Sequence, residues 1–174
     1  SQDSQRDRLP SDWQSSPMNS SVRPLAIISG GSRGLGFATA RGLVADGFDL
    51  ALIAKDAQRL ESARQELLTE FAATQAGINI TTHAVDLEDQ VATRNVATEI
   101  TNTLATPKVL MLAHGVMSEK MSKTLRTTDA EWNRVININL NSVFTLVNAI
   151  APAMAEARDG RVVIYSACLG RMSG

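Results

Sequence analysis

The sequence has a single cysteine, Cys168, so no disulfide can close within it, and a reducing, cytoplasmic setting is the expectation. Its two histidines, His83 and His114, have no cysteine or carboxylate at ligand spacing, which argues against a metal site. Charge is nearly balanced, 17 Lys and Arg against 18 Asp and Glu, so neither nucleic acid nor an acidic membrane surface is called for. No apolar run approaches the roughly 20 residues of a membrane span, and no Ser-His-Asp grouping sits on a nucleophile elbow. There is one tyrosine, Tyr165, and no lysine after Lys123. No short repeat or low-complexity block is present either. What is left is a chain of 174 residues, long enough for one domain with a core and too short for two.

Residues 1–23 are rich in Ser, Gln, Asp, Arg and Pro, lack apolar periodicity and read as a flexible tail, with Trp13 as a stray aromatic or a docking anchor. After Pro24 the pattern changes. Leu25-Ala26-Ile27-Ile28 is a short apolar run of the kind a buried parallel strand requires. Helical spacing follows over 33–46, ended by Gly47, then a second strand over 48–54 and an amphipathic helix over about 56–75. A third strand spans 78–85, a third helix 88–104 and a fourth strand 109–113. Thr128-Asp129-Ala130-Glu131 has the form of a capping box and opens one long helix to about Glu156. Val162 to Ser166 is a fifth strand. Strands alternating with helices predict βαβ units, hence an α/β domain over 24–174 with a parallel sheet covered on both faces.

The informative segment is Ser29-Gly30-Gly31-Ser32-Arg33-Gly34-Leu35-Gly36, between a strand and a helix. In that context Gly30 allows a tight turn, Gly34 lets backbone approach phosphates, and Gly36 lets the helix pack close to the strand. The helix start then offers amides and a dipole to an anion, here a dinucleotide pyrophosphate. Asp86, at the end of the third strand beside Leu87, can accept from an adenine amino group; alternatively it caps the next helix. An NAD site would place an acid at the end of the second strand. Ala54 and Lys55 stand there instead, and Lys55 with Arg33 could neutralise a 2′-phosphate, which points to NADP. Asp56 works against this unless it serves as a helix cap. His114, after the fourth strand, lies where a nicotinamide ribose would be, as a catalytic group or as a loop histidine with satisfied hydrogen bonds.

These segments resemble the short-chain dehydrogenase/reductase family over about residues 24–170. Its Thr-Gly-x-x-x-Gly-x-Gly motif is present with Ser29 for Thr, and Asp86 matches its adenine-contacting Asp. The fourth-strand segment, usually Asn-Asn-Ala-Gly, which steadies the sheet and flanks the cofactor, reads Leu112-Ala113-His114-Gly115, with only the glycine kept. Residues 132–144 resemble the helix carrying the catalytic Asn, which would be Asn139. Residues 160–170 resemble the strand leading to the catalytic Ser. Aligned on Gly160 and Gly170, that position falls on Ala167, and Ser166 could replace it only with a local backbone shift, because adjacent strand residues face opposite ways.

The resemblance implies a doubly wound parallel sheet of Rossmann type, incomplete at about five strands, in the order 3-2-1-4-5. It implies a cofactor site on Ser29, Gly30, Ser32, Arg33, Gly34, Leu35, Gly36, Lys55, Asp86, Leu87, Ala113, His114 and Gly115, and catalytic candidates Asn139 and Ser166. The expected activity is an NADP-dependent interconversion of a carbonyl and an alcohol in a small molecule. The family's Tyr-x-x-x-Lys pair is not in the sequence, so the expectation is that these residues are an N-terminal part and inert alone, completed by further chain or another polypeptide. The alternative is a non-catalytic nucleotide-binding or scaffold subunit. The helix over 128–156 is apolar on more than one face, and the resemblance implies a homo-oligomer formed through it.

Overall fold

The computed structural model describes residues 22–117 and 124–166; Trp13, Ala167, Cys168 and Gly170 lie outside them. Five strands form one parallel sheet: β1 (Leu25–Ser29), β2 (Asp49–Ala54), β3 (Ile80–Ala84), β4 (Val109–Leu112) and β5 (Arg161–Ile164). Their order is β3-β2-β1-β4-β5, as the family resemblance implies. β1 pairs with β2 from Leu25 opposite Asp49 to Ser29 opposite Ile53, and with β4 on its other side from Ala26 opposite Val109 to Ser29 opposite Leu112. The chain therefore leaves β1 in one direction and later returns on the opposite side. That reversal opens a crevice at the carboxyl ends of β1 and β4.

The continuous apolar run of β1 is needed because both faces are covered. Leu25 and Ile27 pack with Ala51, Ile53, Leu110 and Leu112 under α3 (Gln90–Thr103) and α5 (Ser142–Ala157), through Ala97, Ile100, Leu146, Ile150 and Met154. Ala26 and Ile28 pack with Leu50, Leu52 and Met111 under α1 (Gly34–Ala45) and α2 (Ala57–Glu70), through Ala40, Val44, Leu60 and Leu67. Burying each Leu or Ile side chain contributes roughly 1.5–3 kcal/mol, and both layers depend on the same central strands.

Three element readings need correction. The second helix ends at Glu70, not near 75. The helix over 128–156 is not a single α-helix: α4 (Asp129–Ile136) meets α5 through one π turn at Asn137–Asn141, where the Ser142 N–H donates to the Asn137 carbonyl five residues back. Hydrophobic periodicity did not register this because a one-residue insertion leaves the apolar content unchanged. Finally, Asp129–Ala157, 29 residues in all, is long and apolar enough to cross a membrane by length and composition, although no uninterrupted apolar run announces it. Its Leu146, Ile150 and Met154 face the core, while Trp132, Leu140 and Phe144 are exposed. Thr128 caps α4 by accepting from the Glu131 N–H at 3.2 Å, and the Glu131 carboxylate pairs with Arg134.

Candidate dinucleotide site

The turn after β1 is locked by close approach. Gly30 has φ +72° and donates its N–H to the Ile53 carbonyl at 2.8 Å. A Cβ at Gly30 would stand 2.8 Å from the Ala113 carbonyl oxygen, so the end of β4 runs directly against the turn. A Cβ at Gly36 would stand 2.1 Å from the Gly30 carbonyl oxygen, so only glycine lets α1 start this close to the strand. Gly34 differs: φ is +56° and nothing lies within 4 Å, so its backbone conformation selects glycine and leaves the turn open on that side.

The start of α1 also stands apart. α2, α3 and α4 have side-chain caps, from Asp56, Asp89 and Thr128. At α1 the N-cap is Arg33 and no side chain caps it. Its first-turn amides and dipole thus point at the crevice without a side-chain acceptor, as an anion site needs. Asp56 and Asp89 accept from Arg59 N–H and Ala92 N–H, each at 2.9 Å. The cap of the third helix is therefore Asp89, whereas Asp86 accepts from the Glu88 N–H at 3.0 Å in a local turn.

The crevice is a cleft of about 420 Å³ that gathers most of the sequence candidates. Gly30, Ser32, Arg33, Gly34 and Leu35 come from the turn, Lys55 follows β2, Asp86 and Leu87 follow β3, and Ala113, His114 and Gly115 follow β4. Arg59, Val116 and Ile138 line it as well and were missed by the sequence reading. Arg59 was detectable, since it lies one helical turn inside α2, beyond the Asp56 cap. Val116 and Ile138 carry no chemical signature and reach the cleft only through folding. Arg33, Lys55 and Arg59 face Asp56 and Asp86 among these walls. Lys55 Nζ lies 2.7 Å from Asp86 Oδ2. Its hydrogen bond and charge hold the Asp86 carboxyl below its ordinary value, with the Glu88 N–H adding to this, and Asp86 in turn raises Lys55.

Four candidates sit off the cleft walls. Ser29 is fully buried, with its hydroxyl 2.5 Å from His114 Nδ1. Gly36 is buried under Gly30. Asn139 is exposed on the π turn and grips one backbone unit: its Nδ2 donates to the Val116 carbonyl at 2.7 Å and its Oδ1 accepts the Val116 N–H at 2.8 Å. Gly115 leaves room for this, because a Cβ there would meet Asn139 Oδ1 at 3.3 Å. Ser166 is exposed just past β5. Its neighbour Tyr165 donates its N–H to the Leu112 carbonyl at 3.0 Å, and its hydroxyl is 2.8 Å from Thr39 Oγ1 on α1. No cluster of three metal-ligating side chains occurs among the described residues.

The cleft fits a dinucleotide on these observations: a turn that admits no Cβ at two positions, an uncapped helix start, and three cations among its walls. The match to known proteins agrees. The family model for short chain dehydrogenases matches residues 24–174, and the chain belongs to that family. A 3-oxoacyl-(acyl-carrier-protein) reductase of Chlamydia trachomatis is 28% identical over 152 residues, covering 86% of this chain and 57% of that protein. The corresponding reductase of Escherichia coli is 28% identical over 148 residues, covering 85% of this chain and 56% of that protein. Among solved structures, a metagenomic short-chain oxidoreductase in complex with NADP superposes with a TM-score of 0.78 at 30% identity, covering 87% of this chain and 65% of that one. The chain thus spans somewhat over half the length of the curated reductases it matches.

Proposed function

We propose that the protein is an NADP-dependent short-chain oxidoreductase that interconverts a carbonyl and an alcohol in a small molecule, and that residues 24–174 are its cofactor-binding part. One observation carries this reading: the uncapped start of α1 opens on a cleft whose walls include Arg33, Lys55 and Arg59. In this reading the amides after Gly30 take the pyrophosphate, the three cations take a 2′-phosphate, and Asp86 receives the adenine amino group. The bound nicotinamide supplies the hydride, and the residues here bind and orient it. Support also comes from the relatives named as reductases and from the NADP complex among the similar structures.

Asn139 and Ser166 are the catalytic candidates of this chain, and the proton-transfer pair comes from elsewhere. β5 fits such a partnership: Val162, Val163, Ile164 and Tyr165 are all exposed, so apolar surface on both faces of that edge awaits further chain or another polypeptide. The outer face of the long helix, with Trp132, Leu140 and Phe144 exposed, suits a second copy of the chain. We place the protein in the cytoplasm, the long helix being committed to the sheet along one face.

A non-catalytic nucleotide-binding subunit is the second reading, favoured by Asn139, whose amide nitrogen and oxygen both engage the Val116 backbone. The first experiment is a fluorescence titration with NADPH and NADH. Tighter binding of NADPH, lost when Arg33 and Lys55 are both replaced by Ala, supports the cofactor reading. No binding of either nucleotide rejects it. Sequencing the transcript beyond the Gly174 codon then separates enzyme from scaffold: a Tyr-x-x-x-Lys shortly downstream favours the first and a stop codon the second.

A further inference from the structure

Three elements converge on one side chain at the floor of the cleft. His114 Nδ1 lies 2.5 Å from Ser29 Oγ, at the end of β1. His114 Nε2 lies 2.6 Å from Ser142 Oγ and 3.1 Å from the Ile138 carbonyl oxygen. Ser142 Oγ is 2.6 Å from that same oxygen. In an unbroken α-helix the Ile138 carbonyl would accept from the Ser142 N–H. Here that N–H donates to Asn137, so side chains supply donors to Ile138 at the π turn.

The hydrogen positions follow from what each group can do. A carbonyl only accepts, so Nε2 bears the ring hydrogen and shares it between Ser142 Oγ and Ile138, while Ser142 donates its hydroxyl hydrogen to Ile138. The neutral ring leaves Nδ1 as an acceptor, to which Ser29 donates. A single directed chain therefore runs from Ser29 through His114 to Ser142 and Ile138, with every donor satisfied.

We propose that His114 is a positioning residue that ties the end of β1 to the π turn and so fixes Asn139, the next residue after Ile138, against Val116 at the cleft wall. Both ring nitrogens are occupied, so the ring acts by holding and not by transferring a proton to substrate. The neighbouring sequence gives the reason for a histidine. Leu112 and Ala113 stand where the family commonly has two asparagines, and neither carries a polar side-chain atom. The cross-links that steady this junction come from the next residue, at a position where the family commonly has alanine. Only the consequence for cofactor binding rests on the proposed function; the tie itself does not.

The full chain tests this in three ways. Long-range proton–nitrogen NMR at neutral pH should find His114 neutral, with its hydrogen on Nε2; a cationic ring, or hydrogen on Nδ1, overturns the proposal without any variant having to fold. Hydrogen exchange on His114→Ala and Ser142→Ala should speed by about tenfold at residues 137–142 and Val116, with the β2 and β3 amides nearly unchanged. Unchanged exchange in the turn, or acceleration spread evenly through the sheet, overturns it. His114→Gln, whose amide can still donate toward Ser142, should recover part of the protection. NADPH affinity should drop several-fold in His114→Ala. If the unaltered chain binds no nucleotide, the cofactor reading fails, and the tautomer and exchange results still decide the tie.

Discussion

Lys55 and Asp86 meet across the mouth of the cleft, Nζ to Oδ2 at 2.7 Å, with the lysine side chain 75% exposed and the aspartate 39%. The partners come from the ends of adjacent strands, and each is a candidate cofactor ligand in its own right. An exposed pair of this kind contributes about 0–1 kcal/mol to stability. Under the proposed function its importance would be to binding, since a 2′-phosphate entering the cleft would compete with Asp86 for Lys55.

Lys55→Ala should therefore shift the denaturation midpoint very little while weakening NADPH binding about tenfold and NADH binding much less. Fluorescence titrations with both nucleotides, alongside urea melts, measure this. Equal losses for the two nucleotides would show that Lys55 does not meet the 2′-phosphate. The same reasoning predicts NADPH affinity that falls as salt rises from about 0.05 to 0.5 M, because the cations of the cleft are partly solvated.

Two glycines of α1 should respond in opposite directions. At Gly36 a Cβ meets backbone oxygen at 2.1 Å, so Gly36→Ala must displace the turn, at a cost of about 1–3 kcal/mol and with loss of nucleotide binding. At Gly42 nothing lies within 4 Å, so Gly42→Ala should stabilise by about 0.5–1 kcal/mol through helix propensity alone. Chemical denaturation of both variants is the check, and equal effects at the two sites would contradict the packing described.

Asp86 and Asp89, three residues apart, should separate binding from folding. Asp89 caps α3 and does not line the cleft, so Asp89→Ala should cost about 1 kcal/mol and leave nucleotide affinity intact. Asp86→Ala should do the reverse, weakening nucleotide binding with little change in the melt.

Acid should destabilise the fold through its histidines. Burial lowers the pKa of both His114 and His83 below the ordinary 6.5. The ring of His114 touches Ser29, Ser142 and the Ile138 carbonyl, none of them charged. The unfolded chain therefore binds more protons than the native one between the lowered value and 6.5, and stability rises with pH across that window. The stabilisation is complete above about pH 6.5 and is lost as pH falls. Urea midpoints between pH 7.5 and 5 should follow this slope, and His114→Gln should flatten it; a slope unaltered by that change would rule His114 out as a source.

Much of the fold was legible because its rules are local. The run Leu25 to Ile28, the glycines at 30, 34 and 36, and the alternation of strand and helix each carry a period or a steric demand that can be read without coordinates. The positions of Lys55 and Asp86 at strand ends were equally readable, because a strand end in such a sheet faces the crevice. The helix boundary at Glu70 and the α3 cap at Asp89 were less so, since several polar residues near each terminus satisfy the same local rule.

The sequence by itself determined an α/β domain with a parallel sheet and a glycine turn between strand and helix, because hydrophobic period and glycine spacing act over a few residues. Only the tertiary structure decided that Val116 and Ile138 join the cleft, that a π turn interrupts the long helix, and that His114 spans from Ser29 to Ser142. Those contacts join residues up to 85 positions apart, and no pattern along the chain records which distant donors and acceptors will meet once the strands have paired.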